Sequence, residues 1–169
     1  MPHRLGAAIL AALAIASPQT PDIHFVPTPS RIVDAMLKLA GVTAADVVYD
    51  LGSGDGRIVI AAAQRYGARA VGVELDPDLV RKSRERAKKA GVADKVTFVQ
   101  GDLFKADVSQ ATVVTLYLSF SVNRRLESKL MNELPHGARV VSHRFTMADW
   151  PADQDVEVGG THVLLWRIR

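Results

Sequence analysis

Three short stretches of this 169-residue chain hold the residues best suited to chemistry. The first is Asp50-Leu51-Gly52-Ser53-Gly54-Asp55-Gly56, which follows the apolar Val47-Val48-Tyr49 and runs into Arg57-Ile58-Val59-Ile60-Ala61. Strand, glycine turn and helix in that order bring backbone amides close to a ligand, because glycine has no side chain in the way and tolerates positive φ. Dinucleotide sites space their glycines more widely and seat a pyrophosphate on the helix N-terminus. Here Gly52, Gly54 and Gly56 alternate behind an acid at the strand end, a pattern that reads as a loop for an adenosyl cofactor. The second stretch, Ala70-Val71-Gly72-Val73-Glu74, ends an apolar run in a carboxylate at the interval where such folds place a ribose-binding acid. Glu74 can accept both hydrogen bonds of a vicinal diol. In the third, alternating Val96-Thr97-Phe98-Val99-Gln100 leads to Gly101-Asp102-Leu103, where Asp102 would accept from an adenine amino group and Leu103 would pack on the ring. Each has a plainer reading as well: a packing turn, an exposed strand-end acid and an ordinary Gly-Asp turn.

The glycine loop resembles motif I of class I S-adenosylmethionine-dependent methyltransferases. That cofactor carries an ammonium, a carboxylate and a sulfonium but no phosphate, so an acid suits it better than a bare anion nest. On this reading Asp50 organises the loop and faces the ammonium, while amides around Ser53, Gly54, Asp55 and Gly56 receive the carboxylate.

Stretches that form strands and helices alternate around these sites. Ser30 is a candidate cap for a helix ending near Gly41, followed by a strand near Val47, a helix Arg57 to Tyr66, a strand Ala70 to Glu74, and a helix Pro77 to Ala90 capped at Asp76. Strands Val96 to Gln100 and Thr112 to Tyr117, a helix Val122 to Leu134 and a strand Ala138 to Ser142 come next. Asp155 to Val158, Gly159-Gly160 and Thr161 to Trp166 read as a hairpin. The fold expected is α/β: a Rossmann-like, doubly wound, mostly parallel seven-stranded sheet with an antiparallel C-terminal hairpin.

Composition fits one soluble domain with one core, at 48% apolar and 23% charged residues. A net charge of +3 is too small to announce nucleic-acid binding without a patch. The absence of cysteine excludes disulfides, thiolate zinc sites and thiol catalysis, and no acidic cluster of the metal-dependent catechol type is visible, so no metal is expected. Arg81, Lys82, Arg84, Arg86, Lys88 and Lys89 read as a solvated helix face, with anionic lipid or an acidic partner as the sharper alternative. Residues 1–16 have a basic head, an apolar run Leu5 to Ala16 and the small-x-small Ala14-Ile15-Ala16, the pattern of a signal peptide or membrane-targeting segment. Residues 17–29 read as a linker leading into a cofactor lid, and 30–169 as the domain. Export and cofactor supply pull apart, since S-adenosylmethionine is made in the cytosol; a membrane-held domain facing the cytosol reconciles them.

The segment Tyr117-Leu118-Ser119-Phe120-Ser121 lies where such folds line the acceptor. It lacks the Asn/Asp-Pro-Pro-aromatic run of enzymes that methylate exocyclic amines of bases. Aromatic, hydroxyl and apolar side chains suit a lysine amine, which such surroundings help keep neutral. Tyr117 is the candidate catalytic residue, to orient the amine or line its channel; its plainer role is a half-buried strand aromatic. His143 either touches the acceptor or serves structure, as His24 and His162 do; Trp150 packs as a lid or core aromatic or walls the channel.

A more specific resemblance rests on Phe25-Val26-Pro27-Thr28-Pro29, the glycine loop with Arg57-Ile58-Val59, Gly72-Val73-Glu74, Asp102-Leu103, Leu134-Pro135, Gly137-Ala138-Arg139-Val140-Val141-Ser142, Arg144-Phe145 and Trp150. In this order they are similar to the mitochondrial protein-lysine methyltransferases of the ATP synthase c-subunit and the adenine nucleotide translocase, and distantly to Dot1-type enzymes. The resemblance implies S-adenosylmethionine, a protein partner with a target lysine, and an N-terminal segment used for membrane targeting or attachment. It also implies that Thr28 closes over the cofactor. The alternatives are methylation of a small molecule or lipid, and a non-catalytic S-adenosylmethionine-binding module at a membrane.

Overall fold

The computed structural model describes residues 26–169. The signal-like segment 1–16, His24, Phe25 and most of the expected linker lie outside the described residues. Among the described residues no helix is long and apolar enough to cross a membrane.

The order of elements is α1 (Ser30–Leu39), β1 (Val47–Leu51), α2 (Arg57–Tyr66), β2 (Arg69–Glu74), α3 (Pro77–Lys89), β3 (Val96–Gln100), β4 (Val113–Leu116), α4 (Phe120–Glu133), β5 (Arg139–His143), β6 (Gln154–Val158) and β7 (Thr161–Arg167). Seven strands form one sheet in the order β3-β2-β1-β4-β5-β7-β6. The first five are parallel, and β7 enters antiparallel between β5 and β6. The hairpin turns at Gly159-Gly160, both at positive φ, as a two-residue turn matched to strand twist requires.

Strand alternation sends side chains to two cores. Val48, Val113, Val141 and Val163 meet α1, α2 and α3 on one face; Leu51, Val114, Leu116, Val140 and Trp166 meet α4 on the other. Every residue of β4 is buried, as expected of a central parallel strand covered on both faces. The second face carries less helix than full alternation would supply, because residues 101–112 cross from β3 to β4 without one. Val108, Ala111 and Leu103 from that crossing pack into the α4 core instead.

Local chemistry sets the boundaries. Ser30 is the first helical residue of α1 rather than its cap; Pro29 holds the cap position, and its carbonyl accepts from Ile32 and Val33 at 2.9 and 3.0 Å. Asp76 caps α3 as expected, accepting from Asp78 N–H at 2.8 Å with Pro77 following. The Ser119 hydroxyl accepts from Val122 N–H at 3.3 Å, so α4 starts at Phe120, two residues before the expected Val122. β4 ends at Leu116, which places Tyr117 just beyond the strand. At the opposite rim, Asp46 accepts from Thr43, Thr112 and Arg139 and ties the starts of β1, β4 and β5 together.

Candidate active site

The carboxyl ends of β1, β2 and β3 bring the three acidic stretches together. The loop after β1 folds back on β2: Gly52 and Ser53 N–H both donate to the Val73 carbonyl at 2.9 Å. Gly54 N–H donates to Glu74 Oε2 at 2.8 Å and Asp76 N–H to Glu74 Oε1 at 3.0 Å. Gly56 N–H donates to the Ser53 carbonyl at 2.9 Å. The sequence pattern assigns these amides to a ligand carboxylate; the structure commits those of Ser53, Gly54 and Gly56 to the protein's own oxygens. The loop's shape, more than free donors, is what it offers a ligand.

Gly52 has φ +82°, and a Cβ there would come within 2.7 Å of Leu118 Cδ2 and 3.9 Å of Leu103 Cδ2. Gly56, at φ +77°, would place a Cβ 2.7 Å from the Phe98 ring. Left-handed backbone and lack of room both exclude a side chain at these two positions. Leu103 and Leu118 thus stand together as an apolar wall beside Gly52.

Asp50 is 3% exposed and accepts from the Thr115 hydroxyl at 2.7 Å. Burial pushes its pKa up to about 7; the Thr115 bond opposes this, while the Glu74 and Asp55 charges add to it. A buried carboxylate surrounded by negative charge is a fit for a ligand ammonium. The Ser53 hydroxyl, also buried, has no hydrogen-bond partner within the protein. Both features suit the cofactor that the sequence implies.

Gly101 N–H donates to the Glu74 carbonyl at 2.9 Å, bringing Asp102 alongside β2. Asp102 Oδ1 accepts from Phe104 N–H at 2.9 Å in a turn of its own. A carboxylate's remaining lone pairs leave both Glu74 and Asp102 able to accept further.

Asp55 has a different position from the one its place in the loop suggests. Arg57 donates to it through Nε at 2.9 Å and Nη2 at 2.7 Å, and Arg86 pairs with it from α3. Burial favours the neutral acid, but the Arg57 hydrogen bond and the Arg86 and Arg57 charges outweigh it and hold Asp55 below its ordinary pKa. Arg57 Nη1 also donates to the Thr28 carbonyl at 2.9 Å, and Thr28 is buried. Asp55 thus orients the arginine that fixes the N-terminal arm against the loop. The Ser83 hydroxyl donates to the Gly54 carbonyl at 3.0 Å. Arg57, Ser83, Arg86 and Thr115 escape sequence reasoning: two lie on a helix whose charges read as solvated, and Thr115 is polar only within an apolar run.

Tyr117 lies on the other side, past β4. Its ring centroid is 4.1 Å from that of His143 and 6.4 Å from that of Phe145. The Asn123 amide, buried on α4, donates to the Phe145 carbonyl at 3.0 Å. Trp150 packs on Trp166, ring centroids 6.0 Å apart, and its carbonyl accepts from Trp166 Nε1 at 2.8 Å. These contacts tie Trp150 into the α4-side core.

The strand order and the bent glycine loop meet a family match at this point. Residues 50–154 match the family model of the ANTKMT methyltransferase domain. The chain belongs to this methyltransferase family. A protein-lysine N-methyltransferase of Saccharolobus islandicus is 43% identical over 82% of this chain and 86% of its own length. The ATP synthase c-subunit lysine N-methyltransferase of Mus musculus is 40% identical over 92% of this chain, which spans 64% of that protein. A solved chain described as an RNA methyltransferase from Salinibacter ruber, bound to S-adenosyl-L-homocysteine, is 59% identical, with a TM-score of 0.84 over 85% of this chain and 94% of its own. In this methyltransferase Asp50, Glu74 and Asp102 gather at the carboxyl ends of β1 to β3, with the aromatic group at the ends of β4 and β5.

Proposed function

We propose that this methyltransferase moves a methyl group from S-adenosylmethionine to the ε-amine of a protein lysine. The observation that carries the reading is the junction of two unlike ends: a buried, acid-lined glycine loop against a Tyr117-Leu118-Ser119 segment that is apolar and aromatic. The names of the Saccharolobus islandicus and Mus musculus relatives support a lysine acceptor.

S-adenosylmethionine, when bound, supplies a methyl group activated by its sulfonium. The Glu74 carboxylate would hold the ribose hydroxyls, Asp102 the adenine amino group, and Leu103 with Leu118 the ring. Asp50 would face the ammonium, and the arm at Thr28, anchored by Arg57, would cover the site. Gly52, Ser53, Gly54, Asp55 and Gly56 shape the loop. The acceptor must arrive as a free amine; lysine's ordinary pKa of about 10.4 falls where surroundings are apolar. Tyr117 would orient that amine in line with the methyl, and exclusion of water with alignment supplies most of the rate. The new N–C bond forms as the S–C bond breaks, its electron pair staying on sulfur, and the extra proton leaves the methylated amine for water.

The description of the Salinibacter ruber chain as an RNA methyltransferase favours RNA as a second reading. Against it stands the missing Asn/Asp-Pro-Pro-aromatic run at Tyr117 to Ser121. A membrane-embedded protein substrate, met by a domain held at the membrane through residues 1–16, is part of the proposal. Incubating the full chain with methyl-labelled S-adenosylmethionine and separated membrane, soluble-protein, RNA and small-molecule fractions of its host tests it. Base-stable label mapped to lysine in a discrete protein is expected; label confined to RNA, lipid or small molecules would overturn it.

A further inference from the structure

His143 closes β5, Tyr117 follows β4, and Phe145 is carried to both by a strained turn. Arg144 between them has φ +72°, a conformation that is strained for a non-glycine residue and persists only where its surroundings impose it. Here they do: Phe145 N–H donates to the His143 carbonyl at 2.9 Å, Arg144 N–H to the His162 carbonyl at 2.8 Å, and the Ser142 hydroxyl to the Phe145 carbonyl at 2.7 Å. The Phe145 and Tyr117 ring planes lie 21° apart, those of His143 and Tyr117 35°.

His143 itself is 5% exposed. Its Nε2 lies 3.3 Å from the Thr161 hydroxyl of β7, while Nδ1, also buried, has no hydrogen-bond partner within the protein.

We propose that His143 is a positioning residue for methyl transfer: pinned by Thr161, it sets the Tyr117 ring against Phe145, and the three rings form the wall along which the acceptor side chain lies. This rests on the lysine reading above. Burial and the neighbouring Arg144 cation both lower the His143 pKa, so the ring in this wall is neutral at pH 7. The groups around it are Tyr117 from the end of β4, Arg144 and Phe145 from the turn, and Thr161 and His162 from β7. Protonating it would set a second cation beside Arg144, next to an incoming amine.

The test uses the full chain, methyl-labelled S-adenosylmethionine and heat-denatured total host protein as acceptor, with His143→Ala and His143→Phe. His143→Ala should lower acceptor kcat/KM at least tenfold, leave S-adenosylhomocysteine affinity within twofold, and shift the Tyr117 ring resonances. His143→Phe, which restores a ring, should recover most of the rate and lose the acid limb that His143 gives the pH profile. Turnover within twofold of the wild type for His143→Ala would overturn the proposal. So would a loss of cofactor affinity in His143→Ala that parallels the loss of rate, since that marks general packing rather than placement of the Tyr117 ring. If the wild type labels no protein lysine, the lysine reading fails; the Tyr117 resonances, read with S-adenosylhomocysteine and no acceptor, still decide whether His143 places that ring.

Discussion

Replacing Asp50 with asparagine should make the cofactor-free protein more stable at pH 8 while weakening its hold on the cofactor. The carboxylate is buried, and its pKa rises from an ordinary 3.8 to about 7. At about 1.4 kcal/mol per pH unit, that gap amounts to roughly 4 kcal/mol. The sign follows from which state holds the proton. Between the two values the folded protein is protonated at Asp50 and the unfolded chain is not, so Asp50's contribution to stability is complete below pH 3.8, falls as pH rises, and is gone above about 7. The asparagine side chain keeps an oxygen for the Thr115 hydroxyl and has nothing to ionise. From pH 5 to pH 8 Asp50→Asn should therefore gain about 3 kcal/mol on the wild type, measured by urea denaturation of the cofactor-free proteins. Asp46 and Asp55 have lowered pKa values and titrate below this window. His143, lowered, and His162, raised, titrate in both proteins and cancel in the difference. Wild-type affinity for S-adenosylhomocysteine should rise with pH through 7 as the carboxylate forms to meet the ammonium, and that of the asparagine variant should stay low and flat. Parallel stability curves for the two proteins from pH 5 to 8 would refute the reasoning.

Glu74→Ala should lower cofactor affinity by about a hundredfold, from loss of two charge-assisted hydrogen bonds of about 1.5 kcal/mol each, read by calorimetric titration with S-adenosylhomocysteine. Gly72→Ala should destabilise the fold by about 1–3 kcal/mol in thermal melts, because a Cβ there would lie 2.6 Å from Ser53 Oγ and 2.8 Å from the Phe98 ring. Arg57→Met should speed S-adenosylhomocysteine release several-fold in stopped-flow chase and expose the arm near Thr28 to protease, since it removes the bond to that carbonyl. Tyr117→Phe should change kcat for methyl transfer more than cofactor affinity, measured with the protein fraction that the wild type labels.

The strands and helices were legible because burial leaves a regular trace: continuous Val-Val runs for central strands, helical spacing from Ile58 to Ala63, and a two-glycine turn before Thr161. That Asp50, Glu74 and Asp102 lie at one end of the sheet was legible for a related reason, since each is an acid at or just past the end of a strand. What the chain did not disclose is how donors are shared once folded. Nothing local says that the Val73 carbonyl takes the Gly52 and Ser53 amides, or that Arg86 turns from a solvated-looking helix to Asp55. The grouping of Tyr117, His143 and Phe145 joins residues whose strands become neighbours only in the sheet, with a left-handed Arg144 that no sequence rule for glycine could flag.

β7 lies between β5 and β6, although it follows both in sequence. During synthesis on the ribosome, β5 therefore emerges with one side bare, and β6 cannot cover it because its own partner is β7. β7 closes that side when it docks, joining Arg139 to Arg167 and Val141 to Leu165. Until then the nascent sheet presents an unpaired strand with Val140-Val141 at its centre, and unpaired edges recruit other chains. Quality control of this protein should accordingly centre on the interval between the appearance of Val140-Val141 and that of Leu164-Leu165, with chaperone occupancy highest in that window.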